Sequence, residues 1–117
     1  MRPLSGFPIV YLYLGVVDFR KQSNGLAILV QHELGLRPQD DALFVFLSRD
    51  RKRIKMLYWD DSGFALWAKT LEKNRFPIPK VDHQTMSIDA KTMELVLMGY
   101  DILRTKPHEK VSFERYS

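Results

Sequence analysis

There is no cysteine among the 117 residues. Disulfides and thiolate metal sites are excluded, and with them the cross-linked small domains of secreted proteins. No segment approaches the roughly 18 consecutive apolar residues of a membrane-spanning helix. The apolar run inside MRPLSGFPIVYLYLG is short and aromatic, and no small-residue cleavage site follows it, so it does not read as a signal peptide. The expected location is cytoplasmic. Histidine is also scarce: His32, His83 and His108 lie far apart without ligand-like neighbours, and no metal site is expected. Glycine-rich phosphate loops and serine-nucleophile motifs are missing. Asp60 and Asp61 are adjacent, but no third acid stands at a telling spacing. A metal-dependent nuclease is therefore disfavoured, and neither catalytic residues nor a cofactor are expected.

What is there is ordinary globular material with unevenly placed charge. A hydrophobic content of 45% and a charged content of 27% suit one domain with a real core. The formal net charge is +4 and the pI about 9.4. Arg49, Arg51, Lys52, Arg53 and Lys55 hold five positive charges and Asp50 one negative charge; the rest of the chain carries 13 bases and 13 acids. The positive excess is thus focused in one stretch, where any electrostatic partner is to be sought.

That stretch lies within Leu43–Asp60, LFVFLSRDRKRIKMLYWD, where two apolar runs flank the charged connector Ser48–Arg53. The pattern predicts a β-hairpin with a basic tip. Ile9–Leu14 is apolar on both faces and predicts an interior strand ended by Gly15. Asp18 is placed to cap a helix from Phe19 to about Glu33, with Gly35 as its stop and Gly25 inside it, where close packing is expected. Asp60–Gly63 reads as a turn. Phe64–Leu71 fits either period; the short turn before it and its aromatic content favour a third antiparallel strand over a helix. Phe76-Pro77-Ile78-Pro79 is expected to be extended, and Asp82–Met86 to be a loop. Ser87 or Asp89 caps a final helix to about Met98, stopped by Gly99. The expected fold is α+β: an antiparallel sheet of four to five strands, a central basic-tipped hairpin and two helices. It occupies residues 1–103 as one domain, with 104–117 a flexible tail. Phe44, Phe46, Leu57, Trp59 and Trp67 are expected to share one core.

The order of motifs resembles a known family. DFRK at Asp18–Lys21 precedes Gly25-Leu26; LFVF at Leu43–Phe46 leads into the basic turn. RIKMLYWD at Arg53–Asp60 is followed by Gly63, Leu66, Lys69, Leu71-Glu72 and RFPIP at Arg75–Pro79. This set is similar to the accessory protein encoded by the second open reading frame of insertion-sequence-66 type bacterial transposons. Gln22 and Asn74 stand where the family pattern has glycine. The resemblance implies participation in transposition beside a separate transposase, and it supplies no catalytic residues.

The residues themselves must therefore carry the mechanism. If the connector stays extended, Arg49, Arg51, Arg53 and Lys55 form one stripe on a ribbon that fits a DNA groove. Such positions would carry charge rather than core volume, so replacing Arg51, Arg53 and Lys55 would leave folding intact. Arg20 and Lys21, at a helix start where bases oppose the dipole, are further candidates for an acidic partner or phosphate, as against a salt bridge within the chain. Lys69, Lys73 and Arg75 make a second, weaker basic group whose default is a solvated face. Tyr58, Trp59, Phe64 and Trp67 lie beside the basic stretch and are more readily explained as core than as base-stacking residues. The leading expectation is a non-enzymatic accessory factor that contacts transposon-end DNA, the transposase, or both. The alternative is a pure adaptor whose basic hairpin docks on an acidic transposase surface.

Overall fold

The computed structural model describes residues 1–103; the expected tail, 104–117, lies outside the described residues. Five strands form one mixed sheet: β1 (Val10–Tyr13), β2 (Leu43–Leu47), β3 (Arg53–Trp59), β4 (Phe64–Thr70) and β5 (Thr85–Ile88), in the order β4-β3-β2-β1-β5. β2, β3 and β4 form an antiparallel meander, with Phe44 opposite Leu57 and Met56 opposite Trp67. The ambiguous segment Phe64–Leu71 is therefore a strand for nearly all its length. β1 and β5 are antiparallel, but β1 and β2 run parallel, with Val10 opposite Leu43. A parallel pair needs a crossover, and helix α1 (Ser23–Leu29) lies in that connection.

Both faces of the sheet are covered, which is why β2 is buried at every position. On one face Leu12, Val45, Ile54 and Met56 pack with Phe76, Ile78 and, from α2 (Ala90–Leu97), Met93 and Val96. On the other, Phe44, Phe46 and Leu57 pack with Leu26, Ala27 and Val30 of the α1 region. The single aromatic core expected from the sequence is thus two cores. Trp67 sides with Met56, whereas Phe44, Phe46 and Leu57 lie across the sheet. Alternation along β3 puts Trp59 on the α1 side, half-exposed, with Phe64 edge-on at 5.0 Å.

Helix α1 starts later than expected. Asp18 does not cap it; its carboxylate accepts hydrogen bonds from the backbone N–H and guanidinium of Arg20, and Gln22 stands at the helix start. The helix widens into a π-helical turn, Val30–Leu34, and stops at Gly35, whose φ of 66° is left-handed as a C′ glycine requires. Gly25 packs closely, against the Lys21 stem: a Cβ there would come within 3.3 Å of it. At Gly15 a Cβ would lie 2.6 Å from the Tyr13 hydroxyl, so a side chain there requires that buried ring to move.

The loop expected over Asp82–Met86 instead enters β5 at Thr85. β5 leads directly into α2, whose cap is Asp89: its carboxylate accepts from the Thr92 N–H at 2.7 Å. These hydrogen bonds hold its pKa below the usual carboxylate value. A carboxylate stabilised in the folded state contributes stability above its unfolded pKa and loses it as pH falls through the folded one. Asp89→Ala is expected to cost about 1 kcal/mol at pH 7. Asp89→Asn keeps the cap without the titration, so its stability should decline less than wild type as pH drops below about 4. Urea midpoints between pH 7 and pH 3 measure the difference; parallel curves would remove Asp89 from the acid response.

Candidate nucleic-acid interface

The connector between β2 and β3 is a compact turn. Ser48 organises it: its hydroxyl donates to the Asp50 carboxylate at 2.7 Å and accepts from the Arg53 N–H at 3.0 Å. Asp50 also accepts from the Lys52 N–H at 3.0 Å, and these bonds lower its pKa, so it stays ionised. Arg51 sits at φ 63°, a left-handed conformation rare for a side-chain-bearing residue, which turns it inward.

The expected stripe of Arg49, Arg51, Arg53 and Lys55 consequently does not form. Arg51 is only 5% exposed. Its Nε donates to the Ile78 carbonyl, Nη1 to Ser48, and Nη2 to Leu14 and Pro79, at 3.2, 3.3, 2.7 and 2.8 Å. It clamps three chain segments through neutral carbonyls and meets no carboxylate among the described residues. Lys55 is 8% exposed. Its ammonium donates to the carbonyls of Phe19 and Lys21 at 2.8 and 2.7 Å, tying the approach to α1 onto β3. Burial, and then the charge of Arg53, lower its pKa, with Asp18 opposing. Both residues are internal fasteners, so a variant lacking them tests folding before it tests binding.

Arg49 and Arg53 are exposed and Lys52 is half-exposed. Arg53 lies over the Phe19 ring, 5.0 Å from its centroid. Lys21 is exposed beside them, whereas Arg20 is committed to Asp18 at 2.8 Å, which holds that carboxyl well below the usual range.

The two basic groups separate in sequence meet in space. Arg53 pairs with Thr70, so Lys69 stands beside the hairpin. The chain beyond β4 then returns across the turn: the Leu71 N–H donates to the Lys52 carbonyl and the Phe76 N–H to the Arg51 carbonyl, both at 2.8 Å. Lys73 and Arg75 lie between these two bonds and are exposed. Phe76 and Ile78 are buried anchors of the RFPIP segment, which bends at Pro77, where the Ile78 N–H donates to the Phe76 carbonyl at 2.8 Å. The expectation of a fully extended segment fails at that bend. Between the turn and RFPIP opens a cleft of about 340 Å³, lined by Arg49, Arg51, Arg75, Lys80 and Asp50 among others. Lys80 escaped sequence reasoning; its adjacency to RFPIP was the available signal.

Counting exposed and half-exposed side chains of residues 49–53 and 69–80, this end of the sheet presents seven cations (Arg49, Lys52, Arg53, Lys69, Lys73, Arg75, Lys80) against Asp50 and Glu72. That net of +5 exceeds the +4 of the whole chain. Among the described residues no three His, Asp or Glu side chains come together as a metal site, and no helix is long and apolar enough to cross a membrane.

Comparison with known proteins places the chain. Residues 9–107 match the family described as IS66 Orf2 like protein. The chain belongs to this family. Two relatives from Sinorhizobium fredii agree in extent. The uncharacterized protein y4jC is 36% identical over 90 residues, 77% of each chain. The uncharacterized protein y4hO is 33% identical over 92 residues, 79% of this chain and 80% of the relative. No solved structure matches. The motif resemblance is thereby borne out, and membership of the IS66 Orf2-like family indicates a transposition-associated accessory role. In this IS66 Orf2-like chain, two of the motifs that carry the resemblance, the basic turn and RFPIP, form opposite walls of the cleft.

Proposed function

We propose that the protein is a non-enzymatic accessory factor of transposition whose basic sheet end binds nucleic acid, with transposon-end DNA as the expected ligand. The observation that carries this reading is the convergence of residues 49–53 and 69–80 at one end of the sheet, with seven cations and two acids. Cations gathered at one end of a sheet bind phosphates and release counterions, which gives affinity with little dependence on sequence. The chemistry of the surface supports binding rather than catalysis. Guanidinium groups do not surrender protons, and the one acid of the turn is tied into it by Ser48. Incubation with supercoiled and single-stranded DNA plus magnesium or manganese is expected to leave both intact. Cutting abolished by Asp60→Ala/Asp61→Ala would overturn that.

Binding of a short duplex should fall with salt at a log–log slope near −4, about −0.9 for each phosphate contacted. Replacing Lys52, Arg53 and Lys73 with Gln should flatten the slope by about 2.7, and Arg20→Gln by at most about 1. The alternative partner is an acidic surface of the transposase. In that case the wild type shows no DNA binding even at low salt, and the triple variant loses transposase binding.

A further inference from the structure

We propose that the cleft between the β2–β3 turn and RFPIP is a phosphate site that holds a single backbone phosphate of a nucleic-acid strand. This rests on the nucleic-acid reading above and deepens it. Arg49 comes from the turn and Arg75 and Lys80 from the opposite wall, so cations flank the opening from both sides. None of these three forms an ion pair among the described residues.

Beneath them lies the Arg51 guanidinium, buried and bonded only to carbonyls. Carbonyl dipoles engage four of its five N–H groups but leave its charge without a counterion. Screening by water is weak there, so that field reaches into the cleft at closer to full strength. The single opposing charge is Asp50, whose carboxylate is bonded to the Ser48 hydroxyl and the Lys52 N–H. The cleft lining therefore carries four cations and one anion.

The size selects among anions. About 340 Å³ is at the small end of ordinary ligand sites, roughly 300–1,000 Å³, so the cleft takes one nucleotide-sized group and not a duplex. Arginine forks suit the geometry of phosphate oxygens, and two arginines on facing walls can engage one group from both sides. Pro77, Pro79 and buried Phe76 supply a stiff wall that keeps the site preformed. The strand thus docks one phosphate in the cleft while its neighbours run over the outer cations Lys52, Arg53 and Lys73.

The test uses the full chain, isotopically labelled, and follows backbone amide shifts by NMR with three probes: thymidine tetranucleotide, inorganic phosphate and hexaglutamate. The tetranucleotide is expected to move the amides of Arg49–Lys52, Arg75 and Lys80 more than those of Asp18–Lys21. Arg49→Gln/Arg75→Gln, at two exposed positions, should keep the wild-type melting temperature and weaken the tetranucleotide at least about tenfold. It should flatten the salt slope by about 0.7, the value for one phosphate on a single strand, because both arginines face the same group. Unchanged affinity in this variant, with duplex binding intact in the wild type, overturns the cleft and leaves the nucleic-acid reading standing. Equal shifts with inorganic phosphate assign the site to a free anion, and equal shifts with hexaglutamate assign it to an acidic protein; either overturns the strand assignment. Tetranucleotide shifts at the cleft without duplex binding would instead remove the reading of the wider surface.

Discussion

Arg51→Ala is expected to lower stability by about 3 kcal/mol. The substitution strands the carbonyls of Ile78 and Pro79 and leaves that of Leu14 with the Val81 N–H alone. Each buried, unsatisfied polar group costs about 1–3 kcal/mol. The neighbouring cleft lets water reach part of the void, which keeps the sum near the low end of that range. Arg51→Lys retains the charge but lacks the planar fork, so an intermediate loss is expected. Arg51→Gly relieves the left-handed backbone at φ 63° yet still loses the clamp. It should therefore fall below wild type by less than Ala does. Urea denaturation followed by circular dichroism ranks the four proteins. An Ala variant within about 0.5 kcal/mol of wild type would show that water replaces the guanidinium at no cost.

The second large effect belongs to the sheet. Phe46 is fully buried between β2 and the α1 region, and Phe46→Ala is expected to cost about 3–5 kcal/mol. Trp67 is half-exposed on the far face, so Trp67→Ala should cost less. Because the sheet separates them, the two losses should add to within about 0.5 kcal/mol in the double variant. Coupling well above that would restore the single aromatic core and contradict the two-layer packing. With domain stabilities of about 5–15 kcal/mol, the double variant is expected to be largely unfolded at physiological temperature unless wild type lies high in that range. The cycle is therefore best measured at low temperature, or on Phe46→Leu with Trp67→Ala.

The hairpin, the interior strand β1 and both helix stops were legible because local chemistry decides them. Gly35 and Gly99 take positive φ, and Asp89 caps with its own carboxylate. β5 was not legible. TMSI is four residues long and partly polar; it becomes a strand because β1 has a free edge for it to pair with. The start of α1 was misplaced because Asp18 suits a cap but has Arg20 two residues away, and the ion pair takes the carboxylate. The basic stretch illustrates a more general limit. Nothing local distinguishes Arg51 and Lys55, which are buried, from Arg49 and Arg53, which are exposed. Carbonyls that arrive from Leu14, Phe19, Lys21, Ile78 and Pro79 make the difference. The cleft was invisible for the same reason, since two long-range backbone bonds bring RFPIP to the turn.

The position of β1 has a consequence for how the chain is made. It is the first strand of this sheet to be synthesised, yet its two neighbours are β2 and β5. Once Leu47 has emerged, one side of β1 can pair; the other waits for Ile88, 41 residues later. At about 5–20 residues per second, that edge stands open on the ribosome for roughly 2–8 seconds. Throughout that interval it offers Val10 and Leu12 beside unpaired backbone groups, the combination through which nascent chains join one another. A ribosome halted between β4 and β5 therefore holds a chain whose basic hairpin can already form and whose centre is still adhesive.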